Sequence, residues 1–401
     1  MPSKNFDTLA SAWSTTNGFG GLRLLLALAV VASHAFPLGF GEENLGNSLS
    51  RGQTDVGTLA VCGFFAISGL LITRSALQLS PGRFICHRAL RILPGFWFAL
   101  LVTAVGIAPL VAGAEELAKD KFWNHVHGPW EYISSNWTVG INQQGISGLL
   151  GSVPFAGVFN GSLWSLAYES LCYAGVAILA AVGVLRRARW IILLLTSFSF
   201  GALIMEAVTY PLLRAPTYAL DRGNLDMPIL GNLFAGHLLA LSFMFALGAL
   251  AELYRENLPM NTPVAVGCVV LFLVSVRCGC FSVVGLPAYA YLLLWVAMRA
   301  PAALRKIGRR SDYSYGIYIY AFPIQQLFSV ADFTRWGFLP YFLLSAVSAL
   351  AMAVASWHLI ESPALRLKKV WSATSNFTRE PEPRGTAVTG AKKVGSKNAI
   401  V

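Results

Sequence analysis

Ten long apolar runs constrain the fold of this 401-residue chain more than any other feature of its sequence. A helix needs about 20 predominantly apolar residues to cross the hydrocarbon core of a bilayer. Hydrophobic residues make up 55% of the chain and charged residues 12%, a composition too apolar for a soluble globular protein. We therefore predict an all-α polytopic membrane protein with about ten transmembrane helices in one bundle. The predicted spans are Gly20–Phe40, Val56–Thr73, Ile92–Gly113, Leu163–Leu185, Trp190–Leu212, Ile229–Leu250, Pro263–Val276, Phe281–Met298, Tyr313–Val330 and Phe338–Ile360.

Two stretches fit this pattern less well. The seventh and eighth predicted spans are short, and only Arg277–Cys280 separates them. The apolar stretch Gly145–Phe159 is too short and too rich in glycine to cross a bilayer. We interpret it as a re-entrant or interfacial segment.

The basic residues predict the orientation of the bundle. In a ten-span arrangement their clusters fall on one side, whereas the opposite loops contain only scattered Arg and Lys. The positive-inside rule then places both termini in the cytoplasm. Topology thus explains the formal net charge of +11, and nucleic-acid binding is the weaker interpretation. The clusters are Arg74/Arg83/Arg88/Arg91, Arg186/Arg187/Arg189, Arg299/Arg305/Lys306/Arg309/Arg310 and Arg366/Lys368/Lys369.

The chain divides into three predicted parts. Residues 1–17 form a polar cytoplasmic N-terminal segment without a cleavable signal pattern, and residues 18–370 form the transmembrane domain. Residues 371–401 lose the apolar periodicity and are predicted to be a disordered cytoplasmic tail. The longest outer loop, Ala114–Ser147, is rich in aromatic residues; it either covers an extracytoplasmic site or forms an interfacial aromatic belt.

No metal site is predicted. The six cysteines lack the spacing of a metal-binding or disulfide framework, and we interpret Cys278-Gly-Cys280 as incidental. The pair His125-Val-His127 has no further ligand nearby in the sequence, so we interpret it as part of a solvated loop.

Arg23 and His34 are the first candidate functional residues, because both lie in the first apolar run. A helix turns about 100° and rises about 1.5 Å per residue, so eleven residues place the two side chains on one stripe, about 16 Å apart. Ionisable groups in hydrocarbon usually mark a function. An imidazole in apolar surroundings is expected to be uncharged and able to accept a proton. A histidine that only hydrogen-bonds between helices is the alternative.

Arg88 and Arg91 are three residues apart and therefore share a helix face. Two guanidiniums on one face suit phosphate oxygens, although from this motif alone a positive-inside anchor is the better explanation. The expected convergence of Arg23, Arg88 and Arg91 at one cytoplasmic rim favours phosphate binding.

Glu169 enters the membrane from the outer side in Leu163-Trp-Ser-Leu-Ala-Tyr-Glu169. Such a carboxylate requires a partner, which is either His34, an acceptor hydroxyl, a bound sugar or a structural hydrogen bond between helices. Glu206 is also intramembrane, but no pattern around it supports a functional role. The small residues near Ser68-Gly69 favour close helix packing over substrate contact.

The ordered set of motifs resembles the acyltransferase-3 family of integral membrane acyltransferases, which includes sugar O-acetylases of bacterial polysaccharides and nodulation factors. The set consists of Arg23-x10-His34, Phe64-Phe-Ala-Ile-Ser-Gly-Leu-Leu-Ile-Thr73, Arg88-x-x-Arg91, Leu163-Trp-Ser-Leu-Ala-Tyr-Glu169, Tyr313-Ser-Tyr-Gly-Ile-Tyr318 and Ile360-Glu361-Ser-Pro363.

This resemblance implies acyl-CoA as donor, a glycan hydroxyl as acceptor, and a multi-pass protein of the bacterial cytoplasmic membrane. It also implies that His34 matches the family's essential histidine and that Arg23 matches its partner arginine. Arg88 and Arg91 correspond to the Arg-x-x-Arg motif, and Glu169 corresponds to an acidic position of the family. Many members have His where this chain has Ala321, so we expect no catalytic role at that position.

The resulting hypothesis is an O-acyltransferase, with acetyl as the expected group. Arg23, Arg88 and Arg91 would bind the phosphates of cytoplasmic acyl-CoA, and His34 would act as general base or transient acyl carrier. Glu169 would orient the acceptor or the histidine. The alternative is a transporter or flippase for a polyprenyl-linked sugar, since many helices and intramembrane polar groups suit that function too. The lack of a visible internal repeat weakens it.

Overall fold

The structure, a computed structural model, describes residues 6–14, 16–209, 223–227, 229–308 and 311–374. Within these ranges the chain is mostly helical, and ten long helices form the bundle. We number them in chain order. They are α1 (Phe19–Phe40), α2 (Val56–Gln78), α3 (Pro81–Ala114), α4 (Gly161–Ala181), α5 (Trp190–Thr209), α6 (Ala235–Leu253), α7 (Thr262–Cys278), α8 (Phe281–Arg299), α9 (Ser314–Val330) and α10 (Phe338–Lys368).

Each predicted span coincides with one of these helices. Eight of the ten are long and apolar enough to cross a membrane, whereas α7 and α9 have 17 residues each. The prediction of a helical multi-pass membrane protein is confirmed. The count of ten spans and the cytoplasmic location of the termini stay predictions.

Three helices differ clearly from their predicted bounds. Helix α6 begins at Ala235 and not at Ile229, because Gly231–Phe234 pairs as a β-strand. Helix α3 begins at Pro81, eleven residues before the predicted start at Ile92, because Pro is favoured in the first helical turn and the basic stretch continues the same helix. Helix α10 extends past its predicted end at Ile360. A short π-helical turn at Trp357–Glu361 leads there into the last helical stretch, Ser362–Thr374. Of the predicted tail 371–401, residues 375–401 lie outside the described residues.

Four short strands connect the helical parts. The strand β1 (Phe6–Thr8) pairs antiparallel with β4 (Pro259–Met260), and β2 (Asn224–Met227) pairs antiparallel with β3 (Gly231–Phe234). In the second pair Asn224 lies opposite Phe234 and Met227 opposite Gly231. This hairpin leads directly into α6. Shorter helices lie at Leu9–Ala12, Lys119–Trp123, Pro129–Asn136, Val184–Arg187 and Ala302–Lys306, with a 3₁₀ turn at Phe333–Trp336.

Helices α2 and α6 touch backbone to backbone. A Cβ atom at Gly69 would lie 1.9 Å from the Phe245 carbonyl oxygen, and one at Gly248 would lie 2.0 Å from the Ala66 carbonyl oxygen. Lipid tails provide little hydrophobic drive between helices, so membrane helices associate through such small residues. This contact is consistent with a packing role for Gly69.

Helix α9 lies inside the bundle. Almost every residue from Gly316 to Gln326 is buried, whichever side of the helix it occupies. The Gln325 side-chain amide donates a hydrogen bond to the Val31 carbonyl of α1 at 2.9 Å, and Tyr341 of α10 donates one to the Gln325 carbonyl at 2.8 Å. Helix α9 thus connects α1 with α10.

The predicted re-entrant segment Gly145–Phe159 contains turns and bends and no helix. Gln326 of α9 donates hydrogen bonds to the carbonyls of Phe155, at 2.7 Å, and Val158, at 2.8 Å. Its side chains Ile146, Leu150 and Phe159 are fully buried, so the segment packs into the helices as an irregular loop.

Candidate active site

A cavity of about 600 Å³ lies where α1 ends and α4, α6 and α8 begin. His34 lines it, together with the loop residues before α2 and the hairpin before α6. Ligand sites are typically concave and carry a few polar groups in an otherwise apolar wall. The cavity is therefore a candidate site for substrate binding and catalysis. Arg23, Arg88 and Arg91 are not among its lining residues.

His34 is held in this cavity by aromatic packing. The Phe322 ring of α9 meets the imidazole edge-on, with the ring centroids 5.4 Å apart. Gly161 leaves room for that ring, because a Cβ atom there would lie 2.7 Å from it. The Nδ1 atom of His34 is buried and has no hydrogen-bond partner among the described residues. A histidine that lines a cavity can exchange a proton with a bound molecule.

Asp55 is the carboxylate next to this histidine. It caps α2, accepting hydrogen bonds from the backbone of Gly57 at 2.7 Å and of Thr58 at 3.0 Å. It also accepts one at 3.1 Å from the hydroxyl of Ser33, the residue before His34, and it interacts electrostatically with the imidazole. Asp55 lines the same cavity, so its carboxylate both binds Ser33 of α1 and places a negative charge near the His34 imidazole.

A second cluster of charges lies at the opposite end of α1. Arg23 and Arg91 share one oxygen of Asp312, at 3.0 Å and 2.7 Å, and Arg91 also pairs with Glu361 at 2.9 Å. Asp312 precedes α9 and also accepts a 2.6 Å hydrogen bond from Ser314. Burial alone would raise the pKa of the Asp312 carboxyl, but the guanidiniums of Arg23 and Arg91 and the Ser314 hydrogen bonds outweigh it and lower the pKa to about 2.

Arg88 lies in this cluster without a carboxylate of its own. It forms no ion pair within the described part of the chain, and its buried Nε has no hydrogen-bond partner there. It interacts electrostatically with Arg23, Arg91 and Glu169, and Lys368 is a further cation within electrostatic reach. Of the three arginines predicted to bind phosphate, Arg88 is the one whose charge is least compensated.

Glu169 lies between the cavity and the cluster of charges around Asp312, and it does not line the cavity. Its carboxylate accepts a hydrogen bond from Ser68 of α2 at 3.3 Å and one from Tyr173, one turn further along α4. One turn before Glu169, the Ser165 hydroxyl is 2.6 Å from the hydroxyl of Tyr318, which does line the cavity. Ser165, Glu169 and Tyr173 thus form a polar row on one face of α4, from the cavity toward Arg88.

The structure brings the predicted site residues together in two groups. His34 faces the cavity, whereas Arg23, Arg88, Arg91 and Glu169 belong to the arginine cluster and the polar row. Sequence reasoning missed Asp55, Asp312 and the role of Glu361. An acidic residue shortly before a helix is the sequence feature that could have indicated both aspartates. Asp55 directly precedes α2, which is typical of a helix cap, and Asp312 lies two residues before α9.

Three further sequence interpretations can be compared with the structure. Glu206, for which no role was predicted, lines the cavity. Of the outer loop Ala114–Ser147, Ile141 and Gln144 line the cavity, whereas its tryptophans do not. Within the described ranges no group of three or more His, Cys, Asp or Glu side chains is arranged to hold a metal ion.

The helical bundle thus holds the His34 imidazole beside a cavity and a cluster of arginines near the opposite end of α1. A model of the acyltransferase-3 family, described as an acyltransferase domain, matches residues 16–358. The chain belongs to this family.

Two relatives cover almost the same length. The chain is 29% identical over 364 residues to an O-acetyl transferase of Shigella phage Sf6, an alignment that spans 86% of this chain and 95% of the relative. It is 26% identical over 384 residues to Nodulation protein 10 of Rhizobium leguminosarum bv. viciae, across 88% of this chain and 94% of that protein. No solved structure matches the chain. The protein is thus a multi-pass membrane acyltransferase.

Proposed function

We propose that the protein transfers an acyl group, with acetyl as the expected one, from cytoplasmic acyl-CoA to a hydroxyl of an extracytoplasmic or lipid-linked glycan. The observation that carries this proposal is the position of His34, which lines a cavity of about 600 Å³ and whose buried Nδ1 has no hydrogen-bond partner among the described residues. The name of the phage relative, an O-acetyl transferase, supports acetyl as the group transferred. The membrane is the bacterial cytoplasmic membrane, with both termini in the cytoplasm.

The arginine cluster is the proposed donor end. Arg88 is the guanidinium available to a CoA phosphate, since no ion pair in the described chain neutralises it. Arg23 and Arg91 are already joined by Asp312, so we assign them mainly to holding α1, α3 and α9 in register around that phosphate. The pantetheine arm of the donor would extend along the polar row of Ser165, Glu169 and Tyr173 toward His34.

The cavity is the proposed acceptor end. His34 removes the proton from an acceptor hydroxyl as that oxygen attacks the thioester carbonyl. The carbon–sulfur bond then breaks, and the imidazolium returns its proton to the departing CoA thiolate. Asp55 stabilises the transient imidazolium, because its carboxylate lines the same cavity and interacts electrostatically with the imidazole. We prefer this general-base route; a transient acyl-imidazole would give the same products.

Glu169 takes a different part from the one expected. Its hydrogen bonds to Ser68 and Tyr173, and its electrostatic contact with Arg88, favour a role in placing the donor arm over one in orienting the acceptor. CoA would then remain on the cytoplasmic side while its acyl group reaches a glycan presented from outside.

Replacement of His34 tests the proposal. With purified protein and labelled acetyl-CoA, His34→Ala should lower the rate of transfer to surface glycan by at least about 10²-fold, because it removes the proposed general base. His127→Ala is the matched control, since His127 is exposed in the outer loop and does not line the cavity. It should leave transfer unchanged. Transfer that persists in a folded His34→Ala variant would remove His34 from the reaction.

A further inference from the structure

The cavity around His34 has a one-sided charge. Its lining includes the carboxylates of Glu42, Glu43 and Asp55, and no Lys or Arg among the residues that the structure describes. Glu42 and Glu43 are exposed at its mouth. The hydrogen bonds to Asp55 come from neutral groups, namely a hydroxyl of Ser33 and the backbone and hydroxyl of α2. A negative potential of this kind repels an anionic ligand.

One wall of the cavity is aromatic. The Trp164 and His237 rings lie edge to face with centroids 4.6 Å apart, and Tyr168 and Phe234 pack against His237. All four residues line the cavity. Trp164 is half-buried, so part of its ring remains available to a bound molecule. A flat aromatic surface suits the apolar C–H face of a sugar ring.

Asn160 supplies an unused hydrogen-bond acceptor to the same cavity. The residue is only 2% exposed, and its side-chain NH₂ donates to the Ile319 carbonyl at 2.8 Å. That bond fixes the amide orientation and leaves the Oδ1 atom buried without a partner among the described residues. Buried polar atoms are nearly always paired, so an unpaired acceptor in a cavity wall is suited to a ligand's donor. A sugar hydroxyl is such a donor.

We propose that the acceptor is a sugar without an anionic group, whose ring packs on Trp164 and one of whose hydroxyls donates a hydrogen bond to Asn160. This inference rests on the proposed transfer to a glycan, and it specifies the chemical class of the residue that receives the acyl group. Uronic acids, sialic acids and phosphorylated sugars are excluded by the carboxylates at the mouth and wall of the cavity.

Chemical analysis of the cell-surface glycan tests the charge of the acceptor. Glycan from cells that express the wild-type protein is compared with glycan from cells that express His34→Ala, and mass spectrometry locates the acyl group that only the first contains. An acyl group on a sugar without an anionic group is the expected result. An acyl group on an anionic sugar would overturn the inference and leave the proposed function intact. Absence of any His34-dependent acyl group would instead defeat the proposed function.

Kinetics on the purified protein test the aromatic wall. The unacylated glycan from the His34→Ala cells serves as acceptor, with labelled acetyl-CoA as donor. Trp164→Leu should raise KM for this glycan about tenfold, since it removes the ring face. Trp130→Leu, a change of an exposed tryptophan outside the cavity, should not alter it. An unchanged KM in Trp164→Leu would contradict the inference. If that variant does not fold, Trp164→Phe keeps a smaller ring, and a rise of about threefold is expected.

Discussion

At the scale of single residues, Arg88 differs from its two neighbouring arginines. Arg23 and Arg91 are each bound to Asp312, whereas Arg88 has no carboxylate partner within the described chain. A buried guanidinium without a counter-ion is costly unless a ligand supplies the negative charge. The proposed donor phosphate supplies it.

Arg88→Gln should therefore raise KM for acetyl-CoA about 10- to 100-fold, the range expected for the loss of one charge-assisted hydrogen bond. The measurement is initial-rate kinetics with the donor varied and the acceptor saturating. Arg187→Gln is the control, because Arg187 is an exposed arginine outside this cluster and its loss should leave KM unchanged. Equal KM values for wild type and Arg88→Gln would place the donor phosphates elsewhere.

At the scale of helices, the packing of α2 on α6 depends on glycine. A methyl group at Gly69 would lie 1.9 Å from a backbone oxygen, so neither helix can yield by a side-chain rotation. Gly69→Ala should thus force the helices apart and destabilise the protein by about 3 kcal/mol or more. Thermal unfolding in detergent, followed by size-exclusion chromatography with fluorescence detection, measures the change.

A glycine in open surroundings provides the control. No atom lies within 4 Å of a Cβ built at Gly175 in α4. Gly175→Ala should be neutral or slightly stabilising, because alanine is the better helix former. If the Gly69→Ala and Gly175→Ala variants unfold at the same temperature, the close approach of α2 and α6 is not a constraint on the fold.

The ion-pair cluster around Asp312 joins α1, α3 and α10 to the start of α9. The folded pKa of Asp312, about 2, lies below the ordinary value of 3.8. A lowered carboxyl pKa adds stability that is complete above about pH 4 and is lost as the pH falls through about 2. The difference corresponds to about 2 kcal/mol at neutral pH.

Asp312→Asn should accordingly lower the melting temperature by a constant amount from pH 7 down to about pH 4, and by progressively less below that. Melting curves of both proteins from pH 7 to pH 3 measure this. A difference that grows as the pH falls would have the wrong sign and would reject the assignment of the ionised carboxylate to this cluster.

At the scale of the whole molecule, native cysteines mark the two ends of the bundle. Cys278 and Cys280 are exposed between α7 and α8, where Gln53 of the cavity lining binds the carbonyls of Ser275 and Val276. Cys86 lies near Arg88 in the first turns of α3. The proposed orientation places the cavity end outside and the arginine end in the cytoplasm.

A membrane-impermeant maleimide applied to intact spheroplasts should therefore label Cys278 and Cys280. Labelling should disappear in the double variant Cys278→Ser/Cys280→Ser, in which Cys86 becomes reactive only after the membrane is opened. Labelling of Cys86 in intact spheroplasts, with Cys278 and Cys280 protected, would reverse the orientation and with it the direction of transfer.

Much of this architecture can be predicted from local sequence. The bounds of α1, predicted from Gly20 and found from Phe19, follow from an apolar run whose length the bilayer dictates. The early start of α3 at Pro81 was not predictable from apolarity, because its first turns are polar and basic. A hydropathy pattern indicates which residues are apolar, and a helix can continue beyond them into polar residues.

The site was predictable only in part. His34 stands out because an ionisable residue in an apolar run is unusual. The carboxylate partner of Arg91, Asp312, is 221 residues away in sequence, and no local pattern pairs the two. The direction in which Glu169 points depends on the rotation of α4 within the bundle, which spacing along one helix does not determine.

The mouth of the cavity has a consequence for redesign. Its acidic residues Glu42 and Glu43 and its neighbours Ile141 and Gln144 come from connecting segments, whereas His34 lies on a rigid helix. Connecting segments tolerate exchange far better than packed helices do. If the proposed function holds, grafting these segments between members of the family is a practical way to change the acceptor while the helix that carries His34 stays the same.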